Sequence, residues 1–137
     1  MSWRIHHVSL PARYVRETAD FYNQILGMKE NSPPWKAKER GDFPIDEQNV
    51  AWFDDGKTQL HLARHSGNFC IDNNFHIDPI VNGHVAIEVD DLDAVRERLR
   101  SRNIYFADPG NWALNGVEQI YVMDPASNAV EINCRPR

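Results

Sequence analysis

Histidine and glutamate are the residues here best equipped for chemistry, and four of them stand at corresponding points: His7, His61, His84 and Glu131. Imidazole nitrogens and a carboxylate oxygen aimed at one point make a site for a divalent ion. Zinc, nickel, cobalt, manganese and iron(II) all accept such a set, so the ligands alone do not choose the metal. Taken singly, each residue has a plainer explanation. A histidine opening a strand is more often held by a structural hydrogen bond, and a strand glutamate more often faces water. Glu131, however, lies between Val130 and Ile132, and a carboxylate so flanked needs water, a partner or an ion. His61 is open between three roles: ligand, hydrogen-bond partner behind a ligand, or proton carrier. His6 alternates to the strand face opposite His7, and His65 and His76 fall in a polar stretch, so all three are expected at the surface.

An internal repeat ties the four positions together. The segments HVSLPARYVRETADFYNQILG from His7 and HVAIEVDDLDAVRERLRSRNI from His84 open alike. Each has His-Val, a small residue and a large aliphatic, then polar residues leading into a helical pattern. Their far ends correspond as well. Asp54 stands seven residues before His61 across Asp55-Gly56, and Asp124 seven before Glu131 across Pro125 to Asn128. Turn chemistry therefore sits at the same place in both halves. The residual length difference falls in loops, where insertions are cheap.

The elements that would position these residues follow from the apolar pattern. Ile5 to Leu10 reads as a strand with Val8 and Leu10 opposite His7 and Ser9. Val15, Ala19, Phe21, Tyr22, Ile25 and Leu26 follow helical spacing, and Gly27 supplies the stop. A short strand is expected at 28–31, then a long excursion or lid over 32–49 containing Pro33, Pro34 and Pro44. Residues 50–53 and 58–63 form a hairpin, and 64–82 a polar linker. The second half repeats the order: strand 84–89, helix 92–102, short strand 104–107, and a hairpin of 119–123 with 129–134. Val95 and Leu99 are its helical core positions, with Arg96, Glu97, Arg98 and Arg100 a solvated face. Each half reads β-α-β-β-β. One alone leaves a sheet with an open face, too exposed to stand by itself.

Composition limits what such a protein can be. With 137 residues, 42% hydrophobic and 26% charged, it suits one globular domain or two small subdomains sharing an interior. A net charge of −5 with scattered basic residues lacks the electrostatic footprint of a nucleic-acid binder, so a small-molecule substrate is expected. No apolar run approaches the roughly 18–20 residues of a membrane span. The first residues lack a basic-then-apolar leader, so no membrane partner and a cytoplasmic location are expected. Cys70 and Cys134 have no CxxC spacing and read as simple buried thiols.

The run IHHVSLPARYVRETADFYNQILGM resembles the opening of a vicinal oxygen chelate domain. That superfamily comprises glyoxalases, bleomycin-resistance proteins and extradiol ring-cleavage dioxygenases. GHVAIEVDDLDAVRERL is similar to the opening of its second module, and QIYVMDPASNAVEIN to its closing hairpin, with Ser127 where glycine is common. The resemblance implies an α+β fold in which two βαβββ modules form a cupped, barrel-like mixed sheet around a metal, with helices outside. The modules would span about 3–64 and 83–134, with a linker of about 65–82. Its ligand positions carry over to His7, His84 and Glu131, and a fourth, usually Glu or Gln, to His61. The family's glutamate base does not transfer to that imidazole. Family members often dimerise, so a homodimer is expected.

The superfamily hosts many activities on one fold. What its members share is capture of substrate oxygens by the metal, which acts as a Lewis acid. The first expectation is a glyoxalase-like lyase or isomerase, with Glu131 and His61 as its proton-handling, catalytic residues. Arg13, Arg40 and Arg64 could meet an anionic substrate group but are more simply solvated surface. An iron(II) extradiol-type dioxygenase using His7, His84 and Glu131 is the second expectation, against which a ligating His61 would fill an open position. A third is a non-catalytic, resistance-type binding protein whose pocket draws on Trp35, Phe43, Trp52 and Trp112, residues that also read as core and lid.

Overall fold

Alternation builds β1 (Trp3–Ala12), and helix α1 (Val15–Leu26) follows directly. In the computed structural model, residues 1–32, 46–67, 69–72, 74, 76–112 and 116–135 are described. Trp35, Arg40, Phe43 and most of the expected lid lie outside them. Gly27 closes α1 at φ 65°, donating its N–H to the Tyr22 carbonyl, a left-handed stop that costs glycine no Cβ clash. The chain continues through β2 (Val50–Asp54), β3 (Gln59–Arg64) and the short α2 (Phe69–Asp72). The second half holds β4 (His84–Val89), α3 (Leu92–Ser101), β5 (Phe106–Gly110), β6 (Glu118–Met123) and β7 (Ala129–Cys134). Asp91 caps α3 by accepting from the Ala94 N–H.

The strands form one mixed sheet in the order β2-β3-β1-β4-β7-β6-β5. In each half the opening strand runs parallel to the closing one, β1 beside β3 and β4 beside β7. Antiparallel pairing of β1 with β4 joins the halves. The architecture is α+β as expected, but the sheet stays open, with β2 and β5 as its edges. Where a strand was expected at 28–31, only an isolated bridge between Glu30 and Phe53 forms. Ser127, in the β6–β7 turn, takes the left-handed φ of 65° that favours glycine.

One face of the sheet is buried under the helices. Ala12, Ala51, Phe53 and Leu62 pack with Val15 and Ala19 of α1. Val89 and Ile120 pack with Leu92 and Val95 of α3. The apolar positions of α1 therefore divide: Val15, Ala19 and Tyr22 meet the sheet, while Phe21, Ile25 and Leu26 are exposed. Arg96 also departs from its expected solvated face. It pairs through two nitrogens with Asp108 and reaches Asp93 and Glu118, clamping α3 to β5 and β6. The stretch 65–82 is more than a polar linker, because Phe69, Ile77 and Ile80 are buried in it. No helix among the described residues is long and apolar enough to cross a membrane.

Candidate metal centre

On the face away from the helices, pairing aligns side chains in two rows. Gln59, His7, Ala86, Glu131 and Tyr121 lie in one, across β3, β1, β4, β7 and β6. Trp52, His61, Ser9 and His84 lie in the next. Ala86 sits between His7 and Glu131, and its methyl leaves room for the larger side chains to meet above it.

His7, His84 and Glu131 converge. Nε2 of His7 is 3.0 Å from Nε2 of His84. Glu131 Oε2 lies 3.3 Å from His84 Nε2 and 3.7 Å from His7 Nε2. The three donor atoms all fall within 4.8 Å of one another. His84 Nδ1 donates to the Pro79 carbonyl over 2.7 Å, so a neutral His84 presents a lone pair at Nε2. Glu131 accepts from Asn133 Nδ2 at 2.7 Å and from the Tyr121 hydroxyl at 3.3 Å. Tyr121 accepts in turn from Gln119.

Electrostatics keep this cluster in a ligand-ready state. Burial lowers the His7 imidazole to about 3, with Glu131 opposing and His84 and His6 reinforcing the shift. Burial also works against charge on Glu131, yet His7, His84 and Asn133 outweigh it and hold the carboxyl below its ordinary range. The pair is best described as neutral imidazole beside carboxylate, since the hydrogen bonds from Asn133 and Tyr121 persist when His7 is uncharged. Tyr121 stays a phenol, its hydroxyl pushed well up by burial and by Glu131. Two imidazoles and one carboxylate are a donor set that suits a divalent cation. Beside them Gln119 Oε1 and Asn133 Oδ1 are buried acceptors without a partner among the described residues, able to receive hydrogen bonds from whatever the site holds.

His61 occupies the position in β3 that matches Glu131 in β7, and its ring lies between two others. It stacks between Trp52 (3.5 Å between centroids) and His7 (3.9 Å), and its Nε2 is 3.0 Å from Gln59 Oε1. The three-donor group does not include it. Burial first, then His7, His84 and His6, lower its pKa well below the usual histidine value.

His6 overturns its surface expectation, being 3% exposed. The β1–β4 register slips between Ile5, opposite Ile87, and His7, opposite Ala86. Such a bulge re-aims a side chain that strict alternation would send outward. His6 and His7 thus both turn inward, with their Nδ1 atoms 2.8 Å apart. His65 and His76 are exposed as expected. Sequence reasoning also missed Gln59, Tyr121 and Asn133. The last stands two residues from Glu131, so period-two alternation was a sufficient signal for it.

The chain belongs to the glyoxalase/bleomycin resistance protein/dioxygenase superfamily, whose family model matches residues 4–132. Among solved structures it is similar to methylmalonyl-CoA epimerase from Mycobacterium tuberculosis, with 17% identity and a TM-score of 0.63 over 97% of this chain and 88% of that one. A superfamily member from Vibrio splendidus 12B01 has 18% identity and a TM-score of 0.61, over 97% and 99% of the two chains. A Streptomyces coelicolor methylmalonyl-CoA epimerase variant in complex with 2-nitronate-propionyl-CoA has 13% identity and a TM-score of 0.61, covering 98% of each. At these identities the likeness speaks for the fold. No curated protein matches the chain.

Proposed function

We propose that this protein is a divalent-metal-dependent lyase or isomerase of the glyoxalase-like type, acting on a small oxygenated substrate. The observation that carries the reading is the burial of two imidazole nitrogens and one carboxylate oxygen within 4.8 Å of one another. His7, His84 and Glu131 would hold the ion, which when bound supplies a Lewis acid for a substrate carbonyl. The chain's other residues prepare the site. Trp52 and His7 clamp the His61 ring, and burial holds its pKa well below the usual histidine value, so it stands beside the centre as a neutral hydrogen-bonding group that orients substrate rather than as a strong base. Glu131 is a weak base as well, because hydrogen bonds to both its oxygens stabilise the carboxylate. Methylmalonyl-CoA epimerases among the similar folds support an isomerase without naming this substrate.

One observation favours a second reading. With His61 outside the three-donor group, the set is two histidines and one carboxylate, the arrangement of non-haem iron(II) oxygenases. We also propose a homodimer, supported by the exposure of Phe21 (55%) and Ile25 (67%), one turn apart on α1.

Metal analysis of purified protein, with turnover of hemithioacetals set beside oxygen uptake on a catechol panel, tests these readings. Stoichiometric metal and hemithioacetal turnover without oxygen uptake are expected, whereas catechol-dependent oxygen uptake selects the iron reading. His84→Ala should lose most of its metal. Full retention in that variant would remove the centre from consideration.

A further inference from the structure

His6 is buried beside His7, and burying a second imidazole there is costly unless its nitrogens are engaged. We infer that His6 is a positioning residue of the metal centre. Its Nδ1 accepts a hydrogen bond from His7 Nδ1–H, and its own Nε2–H is directed at Glu88. This rests on the metal-centre reading and adds to it the device that sets the tautomer of His7.

Serving as metal ligands, His7 Nε2 and His84 Nε2, 3.0 Å apart, would each offer a lone pair to the ion, so no proton bridges that pair. The His6 and His7 Nδ1 atoms are 2.8 Å apart, a distance at which one must carry a proton and the other a lone pair. To offer a lone pair at Nε2, a neutral His7 must carry its proton on Nδ1. His6 Nδ1 is then the acceptor, and a neutral His6 must carry its own proton on Nε2. That atom lies 3.7 Å from Glu88 Oε2, too long for a hydrogen bond but close enough for the carboxylate to favour a proton there. Arg4 holds Glu88 in place with two nitrogens, at 3.1 and 3.0 Å.

The two ligand histidines thereby meet the same need by different means. His84 donates its Nδ1–H to a backbone carbonyl, that of Pro79. Among the described residues no backbone carbonyl takes that place at His7, and the β-bulge delivers a second histidine instead. Partners of this kind fix ring orientation and raise ligand basicity, and their loss typically weakens metal binding on the order of 10- to 100-fold.

The test uses the full chain and zinc alone as the probe. Zinc affinity is measured by competition with a chromophoric chelator for wild type, His6→Leu and His6→Asn. Imidazole 15N shifts of zinc-loaded wild type report the His6 tautomer. His6→Leu, with no acceptor, should bind zinc on the order of 10- to 100-fold more weakly. His6→Asn places an oxygen where Nδ1 stood and should recover most of that loss. His6 in the loaded protein should be the Nε2–H form. Should His6→Leu fail to fold, the wild-type tautomer and the His6→Asn affinity still decide. An Nδ1–H tautomer, or wild-type affinity in folded His6→Leu, would overturn the inference while leaving the metal centre intact. Wild type that binds no zinc or other divalent ion would instead bring down the centre, and this inference with it.

Discussion

His7 joins a buried, uncharged imidazole to a function that needs its lone pair, and that combination makes stability depend on pH. In the unfolded chain its pKa returns to the ordinary 6.5, whereas the folded chain holds it at about 3. Between those values the unfolded chain binds a proton that the folded chain refuses, so stability falls as pH drops through that window. Glu131 acts in the same direction lower down. Its folded carboxyl lies below the ordinary 4.5, so the stability it contributes is present above that value and lost as pH falls further. Metal-free protein should therefore lose a few kcal/mol between about pH 7 and pH 3 in urea titrations. A flat profile across that range would show that His7 is not buried uncharged. The legibility of the site differed residue by residue. The repeat picked out His7, His84 and Glu131, which the fold brings together. The orientation of His61 was hidden, because Trp52 and Gln59 set it from across and along the sheet.

At the scale of elements, α1, β4 and β7 begin and end where the apolar pattern placed them. Periodicity and a terminal glycine are local signals, and these elements depend mainly on local signals. The approach of β4 to β1 rests on one glycine. Gly83 has φ 71°, and a Cβ there would overlap the Ser9 carbonyl oxygen. Gly83→Ala should cost at least ~2 kcal/mol in chemical denaturation, combining left-handed strain with a backbone clash. It should also lower metal capacity, because His84 is the next residue. A melt indistinguishable from wild type would mean that the two strands do not approach so closely. The missing strand near Glu30 has a tertiary cause: only one residue pair there meets the β2 edge, and a single bridge does not make a ladder.

Across the whole molecule, each half covers its sheet with its own helix, and the halves share the opposite face as the site. Among the described residues, the apolar surface left exposed includes the outer side of α1, where Phe21 and Ile25 stand. Replacing both by glutamate should convert the proposed homodimer to monomer in light scattering, with metal content unchanged, because neither residue touches the donor cluster. A wild-type monomer at high micromolar concentration would refute the dimer. Exposure here could not be foreseen from spacing, since Phe21 and Ile25 obey the same helical period as Val15 and Ala19, and only packing separates the two faces.

The amino-acid pattern by itself determined the repeat, the helices and strands, and which residues of each strand share a face, because these depend on neighbours two to four positions away. Tertiary structure alone decided the open sheet, the bulge that turns His6 inward beside His7, and the stacking of His61 between Trp52 and His7. Each of those depends on strands distant in sequence that meet only when β1 pairs with β4 and β3, and no local periodicity encodes a slip of register between them.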